Sequence, residues 1–126
     1  IYGTRKKNWS AVESIFNTIK HTDEVSVGSL ESGRRFVHVS DIGLGIIKTI
    51  GLRGFNIINL QGNDLITLGD IIATSQMILN KNIRIKENDP DSISIRSVSS
   101  EKSKKIIEWE PKVSLKDGLS MLNAIL

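Results

Sequence analysis

The chain has 126 residues, enough for one domain with a modest hydrophobic core. Hydrophobic residues make up 39% and charged residues 25%, which excludes a disordered chain, and no apolar run approaches the ~18–20 residues of a membrane span. The net charge of +3 is a weak pull toward anionic partners, and the lack of cysteine excludes disulfide and thiolate chemistry.

Trp9, Val12, Ile15, Phe16 and Ile19 recur at helical spacing and predict an amphipathic helix over 9–20. Val25-Ser-Val27 reads as a short extended piece ending at Gly28, and Phe36-Val-His-Val39 as a second apolar stretch. Asp41 is placed to cap a mostly apolar helix from Ile42 to Ile50, closed by Gly51. Phe55-Asn-Ile-Ile-Asn-Leu60 is β-branched and apolar on both faces, the pattern of a strand inside a sheet. Thr67-Leu-Gly-Asp70 is a capping box opening a helix to about Asn80. Ile83-Arg-Ile85 and Ile93-Ser-Ile95 alternate like strands around an Asn88-Asp-Pro-Asp91 turn. Ser99 or Ser100 caps a short basic helix that Trp109-Glu-Pro111 ends. Ser114-Leu-Lys-Asp117 starts the last helix, which Gly118 weakens by roughly 1 kcal/mol relative to Ala. Short strands alternating with about five helices predict an α/β class.

Tyr2-Gly-Thr-Arg-Lys6 spells Y-x-x-x-K, the spacing of the catalytic pair in short-chain dehydrogenases. That chemistry needs both side chains on one helix face, so that the ammonium lowers the phenol pKa. Gly3 follows Tyr2 at once, and helical periodicity starts only at Trp9, so the match reads as coincidence. The basic clusters Arg5-Lys6-Lys7, Arg34-Arg35 and Lys102-Ser-Lys104-Lys105 carry little aromatic interleaving, which argues against a nucleic-acid binder. No cluster of His and carboxylates has metal-ligand spacing, so no metal is expected.

Landmarks of one family nevertheless fall in order along nearly the whole chain. Ile1-Tyr-Gly-Thr-Arg5 is similar to V-Y-G-P-R, which ends a late Rossmann strand in the extended short-chain dehydrogenases. Gly33-Arg34-Arg35-Phe36-Val-His-Val-Ser-Asp41 resembles R-D-F-I-H-V-D-D, and Phe55-Asn-Ile57 resembles Y-N-I. Thr67-Leu-Gly-Asp70-Ile resembles S-L-x-E-L, and Lys102 to Pro111 resembles S-K-A-x-x-x-L-G-W-x-P. Ser114-Leu-Lys-Asp117-Gly-Leu119 resembles S-L-E-E-G-L. The family is the NAD-dependent epimerases and dehydratases acting on nucleotide sugars.

The resemblance implies that the chain is one C-terminal substrate-binding region, 1–126. Residues 1–8 would end a Rossmann strand, and a helix and strand over 41–60 would complete the missing Rossmann sheet. NAD or NADP would be bound by the N-terminal half, since no Gly-rich dinucleotide fingerprint follows a strand here; Gly43-Leu-Gly45 reads as helix packing. The catalytic Tyr and Lys would lie before Ile1, a start without Met that reads as the inside of a longer polypeptide, so no catalytic residue is assigned and this piece alone is expected to be inactive.

Among substrate-binding residues, Arg34 matches the family arginine that reaches the diphosphate, where a planar fork bonds two phosphate oxygens. Val25 and Val27 match the stretch along the base; ordinary strand packing is the other reading. His38 is read as a packing residue, Asp41 as a structural cap, and Trp9 and Trp109 as core or domain-contact anchors. Two departures stand out. Arg35 replaces an aspartate, and Asp89-Pro-Asp91-Ser92 replaces an R-x-G-D turn whose arginine helps hold the nucleotide, leaving Arg84 or Arg96 as substitutes. The expected partners are a nucleotide-diphosphate sugar and the missing Rossmann half, or self-association in its place, with a homodimer in the full protein, a cytoplasmic setting and neither nucleic acid nor membrane. The alternative is a non-catalytic binding or regulatory module of the same fold.

Overall fold

The computed structural model describes residues 1–126. In chain order its elements are α1 (Ala11–His21), β1 (Glu24–Val27), β2 (Gly33–Arg34), α2 (Val39–Thr49), β3 (Ile66–Thr67), α3 (Leu68–Leu79), β4 (Arg84–Glu87), β5 (Ile95–Arg96), α4 (Glu101–Ile106) and α5 (Leu115–Asn123). The α/β class and the five helices agree with the sequence reading. β1 pairs in parallel with β4, and a second sheet runs β3-β2-β5, antiparallel then parallel.

Local chemistry sets the helix starts. Thr67 and Asp70 form the capping box of α3, with Asp70 N–H donating to Thr67 Oγ1 at 3.1 Å and Thr67 N–H to Asp70 Oδ2 at 2.9 Å. Ser114 Oγ accepts from Asp117 N–H at 3.1 Å and opens α5. α1 starts at Ala11 rather than at Trp9, because Ser10 is its N-cap. Trp9 lies outside, exposed, its indole donating to the Arg5 carbonyl at 2.8 Å. α2 is capped by His38, whose Nδ1 accepts from Ser40 N–H at 3.3 Å, and not by Asp41. The buried Asp41 carboxylate accepts from Val113 N–H at 2.9 Å, and its carbonyl takes the Trp109 indole N–H at 2.8 Å.

One expected strand is not formed. Phe55–Leu60 has no ladder partner, because no strand of this chain runs beside it and a strand exists only through pairing. Side chains hold this stretch and its neighbour instead: Asn59 donates to the Ser99 carbonyl at 3.0 Å, and Gln61 clips onto Val98. The Phe36–Val39 stretch likewise contributes a single parallel bridge, Tyr2 to His38, before α2 begins.

Two apolar clusters result. The larger joins Tyr2, α1 (Val12, Ile15, Phe16, Ile19), β1 (Val25, Val27), α3 (Ile71, Ile72) and α5 (Leu119, Leu122). Each fully buried aliphatic or aromatic side chain contributes about 1.5–3 kcal/mol. The smaller joins Val37, Ile107 and Trp109, with Ile42, Ile58 and Leu60 packed against it. Two lysines tie helix ends together. Lys81 Nζ donates to the carbonyls of Ile19 at 2.8 Å and Thr22 at 2.9 Å, and Lys20 Nζ donates to Asn123 at 3.0 Å, each a cation at the negative end of a helix dipole.

The start of the chain is fastened by Glu13, which is fully buried. Its Oε1 accepts from Gly3 N–H at 2.9 Å and Arg5 Nε at 3.0 Å, while Oε2 accepts the Ser10 amide at 2.9 Å and the Ser10 hydroxyl. Burial alone would push this carboxyl up; the donors of Ser10, Gly3 and Arg5 outweigh it and hold the pKa below the usual value.

Candidate functional site

Arg34 sits in the middle strand of the three-stranded sheet, at the meeting of two clefts. One, of about 540 Å³, is lined by Arg34, Arg35, Arg96, Ser97 and Gln61. The other, of about 340 Å³, is lined by Arg34 with Ser32, Gly33, Phe36, Leu68 and Ala11. The half-buried Arg34 guanidinium donates from Nη1 to the carbonyls of Gly33 and Ser94, both at 2.7 Å, and from Nη2 to Ser94 Oγ at 3.1 Å. All these acceptors are neutral. The four ion pairs of the chain are Arg5–Glu13, Lys81–Asp23, Arg84–Glu24 and Lys104–Glu110, so Arg34, Arg35 and Arg96 carry uncompensated charge around one opening.

Arg35 lines the larger cleft as well, but it is held by partners other than those of Arg34. Its Nε donates to Ser97 Oγ at 2.8 Å, and its Nη1 to the Asn63 carbonyl. Of the two arginines left open as substitutes, Arg84 belongs to the other sheet and pairs with Glu24 at 3.6 Å. Arg96 lies on β5 in register with Arg34. The sequence left Arg96 open as a substitute but did not single out Ser94, although Ser94 and Arg96 alternate as residues of one strand face do.

Val25 and Val27 are buried, and their side chains belong to the larger core. Val27 O accepts from Asn88 N–H and Asp23 O from Arg84 N–H, so the odd-numbered residues of β1 face β4. Backbone groups directed to the open edge of β1 are therefore those of Glu24 and Ser26. His38 is buried beside Tyr2, ring centroids 5.3 Å apart at 79°, with Nδ1 at 2.8 Å from Ser40 Oγ. Tyr2 is itself buried, and burial, with the nearby charges of Asp41, Asp117 and Glu13, pushes its phenol up to about 12. A proton-shuttling tyrosine needs the opposite shift, and Tyr2 and Lys6 both precede the first helix rather than sharing a helix face.

Gly45 packs α2 against the smaller cluster: a Cβ there would lie 2.7 Å from Leu60 Cδ1 and 3.1 Å from Trp109 Nε1. Gly43 faces open space. No group of three or more His, Asp or Glu side chains is arranged to hold a metal ion, and no helix is long and apolar enough to cross a membrane. A further cleft of about 480 Å³ beside Trp109 is lined by Lys48, Lys104 and Lys112, of which Lys104 pairs with Glu110 and Lys48 donates to the Glu108 carbonyl.

No family model matches the chain. UDP-glucuronic acid decarboxylase 3 of Arabidopsis thaliana is 33% identical over 91 residues, which is 71% of this chain and 27% of that protein. UDP-glucuronate 4-epimerase of Thermodesulfobacterium geofontis is 28% identical over 113 residues, 84% of this chain and 35% of its own length. The chain belongs to the NAD-dependent epimerase/dehydratase family. It corresponds to the C-terminal part of these extended short-chain dehydrogenases and spans about a quarter to a third of the length of the curated relatives. Solved epimerases share its fold. UDP-glucose 4-epimerase of Thermotoga maritima with UDP-glucose has a TM-score of 0.81 at 21% identity, over 96% of this chain and 41% of that one. UDP-glucuronic acid 4-epimerase of Bacillus cereus, in complex with UDP-glucuronic acid and NAD, has a TM-score of 0.81 at 19% identity, over 99% and 43%.

Proposed function

We propose that this chain is the part of an NAD(P)-dependent nucleotide-sugar epimerase or dehydratase that binds the nucleotide diphosphate. The observation that carries this reading is Arg34, a guanidinium without a carboxylate partner at the edge of two clefts. Its neutral contacts with Ser94 and Gly33 aim the fork while leaving its charge for paired phosphate oxygens. The base would lie along the free edge of β1. There the Ser26 amide and carbonyl are the available groups, while Val25 and Val27 shape the strand from behind.

NAD or NADP, held by the other half of the polypeptide, would supply hydride transfer when bound. That half would also cover the exposed apolar side of α2 and the stretch after it, where Leu44 is 55%, Ile47 61%, Ile50 79% and Phe55 90% exposed. There Phe55–Leu60 would find the ladder partner it lacks within this chain. The 126-residue chain on its own should self-associate through this face, and light scattering that reads a monodisperse monomer would count against the assignment.

Titration calorimetry of the chain with UDP, dTDP, GDP and a short RNA tests the central reading. A diphosphate is expected to bind, and Arg34→Ala to weaken it by about tenfold or more, the effect of losing a charge-assisted hydrogen bond to phosphate. Unchanged nucleotide binding by the variant, or no nucleotide binding by the parent chain, would overturn the reading. RNA binding with a steep salt dependence would favour the non-catalytic module instead.

A further inference from the structure

We infer that Arg96 is the second phosphate-holding residue of this site, gripping the phosphate that Arg34 does not, and so sets the preference for a diphosphate over a monophosphate. The inference rests on the diphosphate-binding reading of Arg34. Register carries it: Arg34 and Arg96 are direct partners in the parallel β2–β5 pair, so their side chains leave the same face of the sheet. Ser94, two residues before Arg96 on that same face, already receives the Arg34 guanidinium.

Two cations placed opposite each other on a sheet destabilise it unless something negative lies between them. Neither has a carboxylate partner, and both line the same cleft of about 540 Å³. A dianionic group with two phosphates a few ångströms apart fits a pair of adjacent guanidiniums; a single phosphate engages one. Arg35 lines the cleft too, but it has no register partner on β5, and its guanidinium is held by Ser97 Oγ and the Asn63 carbonyl. Arg84 does not either, being paired with Glu24 in the other sheet.

The test measures UDP and UMP affinity for the parent chain, Arg34→Ala, Arg96→Ala and Arg84→Ala, each checked for folding by thermal melting. Arg96 is exposed, so its truncation leaves the core intact. Arg96→Ala is expected to weaken UDP by about tenfold while leaving UMP within about twofold, collapsing the UDP/UMP ratio; Arg84→Ala is expected to change neither. UDP binding at parental strength in Arg96→Ala, an equal loss for UDP and UMP, or an equal loss in Arg84→Ala would overturn the inference. In those cases the reading of Arg34 stands as long as Arg34→Ala still weakens UDP by about tenfold or more. Absence of UDP binding by the parent chain would remove both.

Discussion

Replacing Gly118 by alanine is expected to destabilise the fold by about 2 kcal/mol, although helix propensity alone argues for a gain of about 1 kcal/mol. A Cβ at this position would lie 2.1 Å from the Tyr2 hydroxyl and 2.6 and 2.7 Å from two ring carbons. Tyr2 is 1% exposed and closed in by α1 and α5, so the ring has little room to yield. Overpacking of this kind costs more than the backbone entropy alanine saves. Urea unfolding should show a lower midpoint at unchanged slope. A double-mutant cycle isolates the cause: in a Tyr2→Ala background, Gly118→Ala should be neutral or stabilising. A Gly118→Ala chain as stable as its parent would show that the Tyr2–α5 contact is looser than described.

Glu13→Gln should cost more, about 3 kcal/mol, because four donors converge on a carboxylate that is 0% exposed. A glutamine amide turns one acceptor into a donor facing other donors, so either Gly3 N–H with Arg5 or the Ser10 amide loses its partner. The pH dependence has a definite sign. The folded-state pKa of Glu13 is held below its ordinary value, so in the window between the two the unfolded chain binds more protons. Stability is therefore full above the ordinary carboxylate range and is lost as pH falls through the folded-state value. Glu13→Gln should flatten that acid limb. Parallel acid-unfolding curves for parent and variant, merely offset, would rule out this role.

Helices were legible wherever their start is written locally. Thr67-x-x-Asp70 and Ser114-x-x-Asp117 marked α3 and α5, and the spacing of Val12, Ile15, Phe16 and Ile19 marked the inner face of α1. Ser10-x-x-Glu13 spells the same box and would have placed the start of α1 correctly, but Trp9 completes the apolar period and masked it. The strands were less legible, because β2, β3 and β5 are two residues each and depend on partners far along the chain. Phe55–Leu60 has the composition of a strand, but pairing is not a property of composition. The same limit applied at the site. Arg34 was visible through its motif, whereas the pairing of Arg34 with Arg96 depends on a register that brings together residues 62 apart.

The packing of Tyr2 against α5 ties residue 2 to residue 118, with the phenol 3.4 Å from the Ser114 carbonyl. Leu119 and Leu122, both fully buried, come from that same helix. On the ribosome, this lobe cannot seal its interior until α5 has been made. A nascent chain stalled before residue 115 would leave Phe16, Ile71 and Ile72 uncovered and open to chaperones and proteases.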